Sequence, residues 1–275
     1  MPHPSQTLHV ILIVTITVIG LSVSFYLFRQ PGSAEGVSNP MIAEVSGTPT
    51  RELHVLFIGN SYTFFNNMPG MLVQIARSDS DNHTRYIVQS VTRGGIGLKE
   101  LWDDGAALKL LKENHWDYVV LQEQSFWAMF PEAVNVTSHA AGLFDQEIKQ
   151  ASAHTLLFTT CARQPVSHWY QDEKYSFLRS PDYMQQQFDR NTKDLADRLG
   201  AVAIPVGDFW ASALAKQPSI PLYIGDGSHP SPAGSYLAAL VFYRYFAEHN
   251  PDHVTYAPEN VAPEQAVFLR NIASW

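Results

Sequence analysis

From about residue 52 onward, the apolar residues of the chain follow two alternating patterns. Short apolar runs between polar or glycine-containing segments are typical of buried strands, whereas apolar residues that recur every three or four positions are typical of helices. The runs that predict strands are residues 55–58, 85–91, 118–121, 155–160 and 201–206. The segments that predict helices are residues 71–76, 98–111, 140–148, 183–199, 209–214 and 232–246.

Strands that alternate with helices in this way predict a parallel sheet with helices on both faces. We therefore expect an α/β fold, a three-layer α/β/α sandwich of the flavodoxin-like kind, with a five-stranded parallel sheet and right-handed crossovers. In such sheets, ligands bind beyond the carboxyl ends of the strands. The residues that follow each strand are therefore the candidates for a functional site.

The first 28 residues contain no Asp, Glu, Lys or Arg, and their apolar part is residues 8–28. At a helical rise of about 1.5 Å per residue, this part spans roughly 30 Å, the thickness of one bilayer core. A cleavable signal peptide is the alternative, but its apolar core is usually about 7–15 residues long and no clean A-x-A site follows here. We therefore predict a single-pass transmembrane helix.

We expect the domain after this helix to be exported, to the periplasm or the cell exterior. Arg29 on its C-terminal side gives that orientation no support from the positive-inside rule. Residues 29–51 contain few bulky side chains and several prolines and glycines, which predicts a flexible tether. The folded domain is predicted to occupy residues 52–275.

Composition excludes several classes of function. The net charge is −8 and no cluster of Lys and Arg occurs, so nucleic-acid binding is not expected. Cys161 is the only cysteine, which excludes an intramolecular disulfide and a cysteine-based metal site. No HExxH, Walker or GxGxxG pattern is present. We expect neither a metal nor an organic cofactor.

The turn after the first predicted strand carries Ser61, which follows Gly59-Asn60 and precedes a helical segment. A serine at a strand-to-helix turn presents its hydroxyl at the sheet edge and its N–H beside a helix N-terminus. Both are features of a nucleophilic serine. Taken alone, the stretch is better explained by a serine that caps a helix or fills a turn.

A second segment, Asp226-Gly-Ser-His229, changes that balance. Among the eleven histidines, only His229 has an acidic residue three positions earlier. An Asp at this spacing can accept a hydrogen bond from Nδ1–H and leave Nε2 free as a base. Asp-Gly-Ser also suits a surface turn. The coincidence with Ser61 and with a Gly94-Gly95 loop after the second strand favours a catalytic site.

These segments resemble the blocks of the SGNH (GDSL-like) hydrolase superfamily: Gly59-Asn60-Ser61, Gly94-Gly95 followed by Leu98, and Asp226-x-x-His229. More narrowly, LFIGNSYTFFNNMPGML, DYVVLQEQS and DGSHPSPAGSYLAALVFYR resemble the DUF4886 group over residues 53–250. The third block departs from the superfamily, because Gln122-Glu-Gln-Ser125 replaces the usual Gly-x-Asn-Asp. Gln124 falls where the oxyanion Asn would lie, and Gln122 is the other candidate.

This resemblance implies a serine ester hydrolase in which Ser61 attacks, His229 is the base and Asp226 orients the imidazole. It further implies an oxyanion hole made by the N–H groups of Ser61 and Gly95 and the side chain of Gln124. The implied substrate is a short-acyl ester, with an O-acetylated glycan as one candidate. An O-acyltransferase with the same triad, or a non-catalytic membrane-anchored carbohydrate-binding domain, are the alternatives.

Other polar and aromatic residues remain ambiguous from the sequence. His115, His139 and His168 have no ligand-like spacing and are expected at the surface or in the core. Glu123 fits a second acid, a carboxylate held by backbone donors, or an exposed residue. The aromatic residues within 169–183 fit either the lining of a substrate cleft or a cover over the sheet end.

Overall fold

The computed structural model describes residues 35–45 and 49–274. Within these ranges the strands are β1 (Gly36–Val37), β2 (Met41–Ala43), β3 (Arg51–Gly59), β4 (Thr84–Thr92), β5 (Tyr118–Leu121), β6 (His154–Phe158) and β7 (Val202–Ile204). The helices are α1 (Ser61–Phe64), α2 (Met68–Ser78), α3 (Leu98–Asp104), α4 (Ala106–Glu113), α5 (Pro131–Gln150), α6 (Pro181–Leu199), α7 (Val206–Lys216), α8 (Pro232–Ala247) and α9 (Pro263–Ala273).

Five of these strands form a parallel sheet in the order β4-β3-β5-β6-β7. Counted along the chain, this is the 2-1-3-4-5 order of flavodoxin-like sheets. The predicted α/β fold with a parallel sheet is thus confirmed. The sheet has two further strands, because β1 and β2 both pair antiparallel with the outer edge of β4.

The sheet separates two hydrophobic cores, as a three-layer arrangement requires. Successive side chains of a strand point to opposite faces. In β3, Val55 and Phe57 enter the core beneath α2, α7, α8 and α9, whereas Leu56 and Ile58 enter the core beneath α3–α6. Helix α8 is buried on nearly all sides, which explains its almost uninterrupted apolar sequence.

The N-terminal boundary of the folded domain differs from the prediction. Residues 36–43, predicted as part of a flexible tether, form β1 and β2. Ala43 is fully buried in the core, and the Glu35 carboxylate accepts a hydrogen bond from Gly94 N at 3.2 Å. Because Met41–Ala43 is only three residues long and follows Pro40, its pattern was too short to indicate a strand.

The predicted transmembrane helix, residues 8–28, lies outside the described residues. Among the residues that are described, no helix is long and apolar enough to cross a bilayer. The anchor and its orientation therefore stay predictions.

Deleting residues 1–50 removes β1 and β2, whereas deleting residues 1–34 leaves both in place. Because the longer deletion uncovers an edge of β4 and removes buried Ala43, we expect it to lower the free energy of unfolding by about 1–3 kcal/mol relative to the shorter one. Urea unfolding of the two proteins, followed by circular dichroism, measures the difference. Equal stabilities would show that β1 and β2 are dispensable for the folded domain.

Candidate active site

The carboxyl ends of three parallel strands meet at one edge of the sheet. The register pairs Gly59 of β3 with Thr92 of β4, and Ile58 of β3 with Leu121 of β5. The loops that follow these strands therefore begin side by side. They carry Ser61, the Gly94-Gly95 pair and residues 122–125, so three of the segments identified from the sequence lie at the same edge.

The structure brings Ser61, His229 and Asp226 into one hydrogen-bonded chain. Ser61 Oγ lies 2.9 Å from His229 Nε2, and His229 Nδ1 lies 2.6 Å from Asp226 Oδ2. Ser61 is the first residue of α1 and is buried, while His229 retains some exposure. The arrangement has the geometry of a serine whose proton can pass to an imidazole.

The Asp226–His229 loop is closed by its own carboxylate. Asp226 Oδ1 accepts hydrogen bonds from Ser228 N at 2.8 Å and His229 N at 2.9 Å, while Oδ2 faces the imidazole. Gly227 makes the turn with a φ of +64°, a conformation that favours glycine. Burial raises the pKa of Asp226, but these hydrogen bonds outweigh it and lower the pKa overall. An ionised Asp226 fixes the tautomer with hydrogen on Nδ1 and the Nε2 lone pair toward Ser61.

Two aromatic rings pack against the His229 imidazole and restrain its orientation. The sequence patterns did not indicate this role. The Phe65 ring stacks on His229 with centroids 4.6 Å apart and an interplanar angle of 10°. The Tyr62 ring lies 5.7 Å from the same imidazole. Tyr62 directly follows Ser61, and Phe65 is the C-cap of the same short helix, so the turn that carries Ser61 also restrains the His229 imidazole.

The loop after β4 is tied to the serine turn by the Asn60 side chain. Asn60 Nδ2 donates to Ile96 O at 2.9 Å, and Asn60 Oδ1 accepts from Tyr62 N at 3.2 Å. Gly95 lies at the exposed tip of this loop, and the space that a side chain there would occupy is open. A ligand could therefore approach the backbone of Gly95 closely.

Comparison with known proteins gives matches of structure and not of sequence. No protein-family model and no curated protein matches the chain. A DUF4886 family protein from Bacteroides uniformis matches with a TM-score of 0.68 at 17% identity, over 81% of this chain and 93% of that one. A protein from Slackia heliotrinireducens, assigned to the SGNH hydrolases, matches with a TM-score of 0.58 at 27% identity, over 70% and 98%. Axe2, an acetylxylan esterase from Geobacillus stearothermophilus, matches with a TM-score of 0.52 at 14% identity, over 76% and 96%.

The chain has the SGNH (GDSL-like) hydrolase fold. The resemblance that the sequence motifs indicated is thereby confirmed at the level of the fold. The departure from the SGNH pattern lies in the third block, residues 122–125.

Gln122, in that block, lies behind the serine turn and not in front of it. Its Oε1 accepts hydrogen bonds from Asn60 N at 2.8 Å and Thr63 Oγ1 at 3.0 Å, and its Nε2 donates to Glu123 O. The side chain is fully buried. With both ends of its amide engaged, Gln122 supports the turn that carries Ser61.

Gln124 and Glu123 are placed differently from Gln122. Gln124 Oε1 accepts from Phe126 N at 2.7 Å. The Glu123 carboxylate accepts from Gln124 N at 2.6 Å, Leu98 N at 3.1 Å and Thr137 Oγ1 at 3.0 Å. Of the three possibilities for Glu123, the structure thus shows the carboxylate held by backbone donors. Burial raises its pKa.

The remaining candidate residues lie outside this constellation. His115, His139 and His168 are exposed. In the part of the chain that the structure describes, one group of possible metal ligands occurs, Asp79, Asp81 and His253, with ligand atoms within 4.8 Å of one another. It lies where α2 ends, before the start of β4, and therefore at the sheet edge opposite Ser61.

The aromatic loop between β6 and α6 packs against the histidine loop. Trp169 Nε1 donates to Asp226 O at 2.7 Å, and Gln164 N donates to Gly227 O at 2.8 Å. Trp169 also contacts Phe126 and Tyr175, with ring centroids 5.7 and 4.6 Å away. Trp169 therefore helps to cover the sheet end and braces the turn that carries His229.

Replacing Gly59 with Ala should disturb this site from behind. A Cβ at Gly59 would lie 2.5 Å from Thr63 Oγ1 and 2.6 Å from Gln122 Oε1. We expect Gly59→Ala to lower the free energy of unfolding by about 1–3 kcal/mol, measured by urea unfolding.

Gly142→Ala in α5 is the matched control, because a Cβ there meets no atom within 4 Å. This variant should gain about 0.5–1 kcal/mol from helix propensity. A Gly59→Ala protein as stable as wild type would disprove the close packing described for Gln122.

Proposed function

We propose that the protein is a serine ester hydrolase that acts on short-acyl esters, with O-acetyl groups on carbohydrates as the leading substrate class. The observation that carries the proposal is the chain of contacts from Ser61 Oγ to His229 Nε2, 2.9 Å, and from His229 Nδ1 to Asp226 Oδ2, 2.6 Å. The SGNH fold and the match to an acetylxylan esterase support it.

The proposed reaction proceeds through an acyl-enzyme. Ser61 Oγ attacks the acyl carbon while His229 Nε2 takes the hydroxyl proton, and the carbonyl oxygen becomes an oxyanion. When the tetrahedral intermediate collapses, the bond to the leaving alcohol breaks and His229 returns the proton to that oxygen. Water then attacks the acyl-enzyme with His229 as base again, which releases the carboxylic acid and restores Ser61.

Three donors are proposed for the oxyanion: the backbone N–H groups of Ser61 and Gly95 and the side-chain amide of Gln124. The open space at Gly95 and the proximity of its loop to the serine turn support the backbone pair. Gln124 is favoured over Gln122, because both ends of the Gln122 amide are engaged with backbone and Thr63. The Gln124 amide oxygen bonds Phe126 N, which leaves its NH₂ group as the end available for donation.

The membrane location also belongs to this proposal. Residues 8–28 would form a single-pass anchor and the hydrolase domain would be exported, where acetylated glycans are accessible. The apolar composition of residues 8–28 supports the anchor.

Ser61→Ala and His229→Ala should each lower kcat for p-nitrophenyl acetate by about 10⁴-fold or more, and the double variant should lose little beyond either single change. Asp226→Asn should also lose activity strongly, because an amide no longer selects the Nδ1–H tautomer. Mass spectrometry after treatment with a fluorophosphonate should find the label on Ser61. Ser176→Ala, an exposed serine outside the site, serves as the control.

Near-wild-type turnover of Ser61→Ala, or a wild-type protein that is not labelled at Ser61, would refute the serine-nucleophile mechanism.

Gln124→Ala should lower kcat by about 10²–10³-fold with little change in KM, because an oxyanion donor acts mainly in the transition state. Gln122→Ala should differ by lowering the melting temperature as well, since it leaves buried Asn60 N without its acceptor. Steady-state kinetics and thermal unfolding of both variants measure this contrast. An unchanged kcat for Gln124→Ala would remove Gln124 from the oxyanion hole.

A further inference from the structure

Arg163, in the loop after β6, is a cation buried beside the candidate active site. It is 3% exposed. Its Nη1 donates to the Tyr62 hydroxyl and its Nη2 donates to Ser125 Oγ at 2.8 Å, while Nε is buried and has no acceptor within the part of the chain that the structure describes. Among the described residues, the hydrogen-bond partners of the guanidinium are thus two neutral hydroxyl groups.

A buried charge without a counter-charge is unfavourable for folding. The guanidinium is partly compensated by the faces of Phe126 and Trp169, whose ring centroids lie 4.5 and 4.8 Å from Cζ. An apolar side chain of similar length would fill the same space without this cost. The charged guanidinium must therefore contribute something that packing alone does not.

The two hydroxyl groups belong to two different loops of the site. Tyr62 follows the proposed nucleophile, and Ser125 follows Gln124. Because a guanidinium carries rigidly spaced donors, it sets the distance between these loops. The next residue, Gln164, donates its N–H to Gly227 O at 2.8 Å and so ties the Arg163 loop to the histidine loop.

The direction of hydrogen bonding continues from Arg163 to the histidine loop. A guanidinium only donates, so the Tyr62 oxygen accepts from Arg163 and its own hydrogen is available to Ser228 Oγ, 3.0 Å away. Burial raises the pKa of Tyr62, which keeps the phenol protonated. Ser228 in turn donates its backbone N–H to Asp226 Oδ1. Arg163 is thus connected through Tyr62 to the side chain of Ser228, the residue whose backbone N–H binds the Asp226 carboxylate.

We propose that Arg163 is a positioning residue for the reaction, which fixes the serine turn, the Gln124 loop and the Asp226–His229 loop relative to one another through Tyr62 and Ser125. This inference rests on the proposed esterase function. Arg163 acts through these residues and does not touch the reacting atoms.

The test uses Arg163→Met, Tyr62→Phe and their double variant in the full chain, with Arg198→Met as the control at an exposed arginine. Arg163→Met keeps the length of the side chain and loses the charged fork. Tyr62→Phe keeps the ring beside His229 and loses only the hydroxyl. We expect each to lower kcat for p-nitrophenyl acetate by about 10²-fold, the loss typical of misplaced catalytic groups, with KM changed less than threefold.

If Arg163 acts through Tyr62, the kcat of the double variant should be no more than about threefold below that of the less active single variant. The reason is that the effects of mutations within one network are not additive. Multiplicative losses would overturn the connection through Tyr62. A folded Arg163→Met protein with kcat within twofold of wild type would overturn the positioning role. Should Arg163→Met fail to fold, an unchanged kcat for Tyr62→Phe overturns it equally.

A second readout does not depend on turnover. Proton NMR should show a low-field signal from His229 Nδ1–H, identified by its absence in His229→Ala. We expect this signal to broaden or disappear in Arg163→Met and Tyr62→Phe, and to persist in Arg198→Met. If the wild-type protein has no esterase activity but the signal changes among the variants as expected, the proposed function is refuted and the positioning role is supported. An unchanged signal in an active Tyr62→Phe protein would refute the positioning role alone.

Discussion

The hydrogen bond from Asn60 N to Gln122 Oε1 determines how Ser61 is presented. It spans β3 and β5 just beyond their last paired residues, in a space that exists because Gly59 has no side chain. Thr63 donates to the same oxygen. One buried amide thereby fixes the turn on both sides of the serine. Loss of this acceptor would leave a buried N–H unpaired, so the turn and the strand edge are stable only together.

The site also requires that the segment with His229, distant in sequence, reaches the turn that carries Ser61. Ser61 and His229 are 168 positions apart, and their segments are joined by hydrogen bonds from Asn66 Nδ2 to Pro230 O at 3.0 Å and from Ser235 Oγ to Phe65 O at 3.1 Å. The histidine loop is also fixed by local hydrogen bonds. Ile224 N donates to His229 O at 3.0 Å, and Ser231 caps α8 by accepting from Gly234 N. The base is thus positioned by backbone on both sides and by the Phe65 ring on its face.

Much of this architecture follows from sequence patterns, and the exceptions have physical reasons. The five parallel strands were predictable because each contains a short, mainly apolar run between polar or glycine-containing segments. Asp226-x-x-His229 was predictable because its spacing permits one specific contact. Strands β1 and β2 were not predictable, because segments of two and three residues are too short to show a periodicity. If β5 continued beyond Leu121, the alternation of side chains from Tyr118 would place Gln122 and Gln124 on one face. That alternation stops where β5 ends at Leu121, so Gln122 turns back under the serine. The pairing of Arg163 with Tyr62, across 101 positions, leaves no local signal at all.

The side chains that fix the loops of the site lie on the core side of these loops, away from the open side. This placement has a consequence for specificity. Gln122 and Arg163 are buried and bind the loops from the side of the core, whereas Gly95, at the exposed tip of its loop, presents only backbone. If the protein is the proposed hydrolase, we expect changes on the open side to alter which acyl group fits without disturbing the alignment of Ser61 and His229. Changes behind the loops alter alignment for every substrate alike. For the proposed hydrolase, we therefore expect substrate preference and positioning to depend on different residues, so that changes on the open side affect mainly KM and changes behind the loops affect mainly kcat.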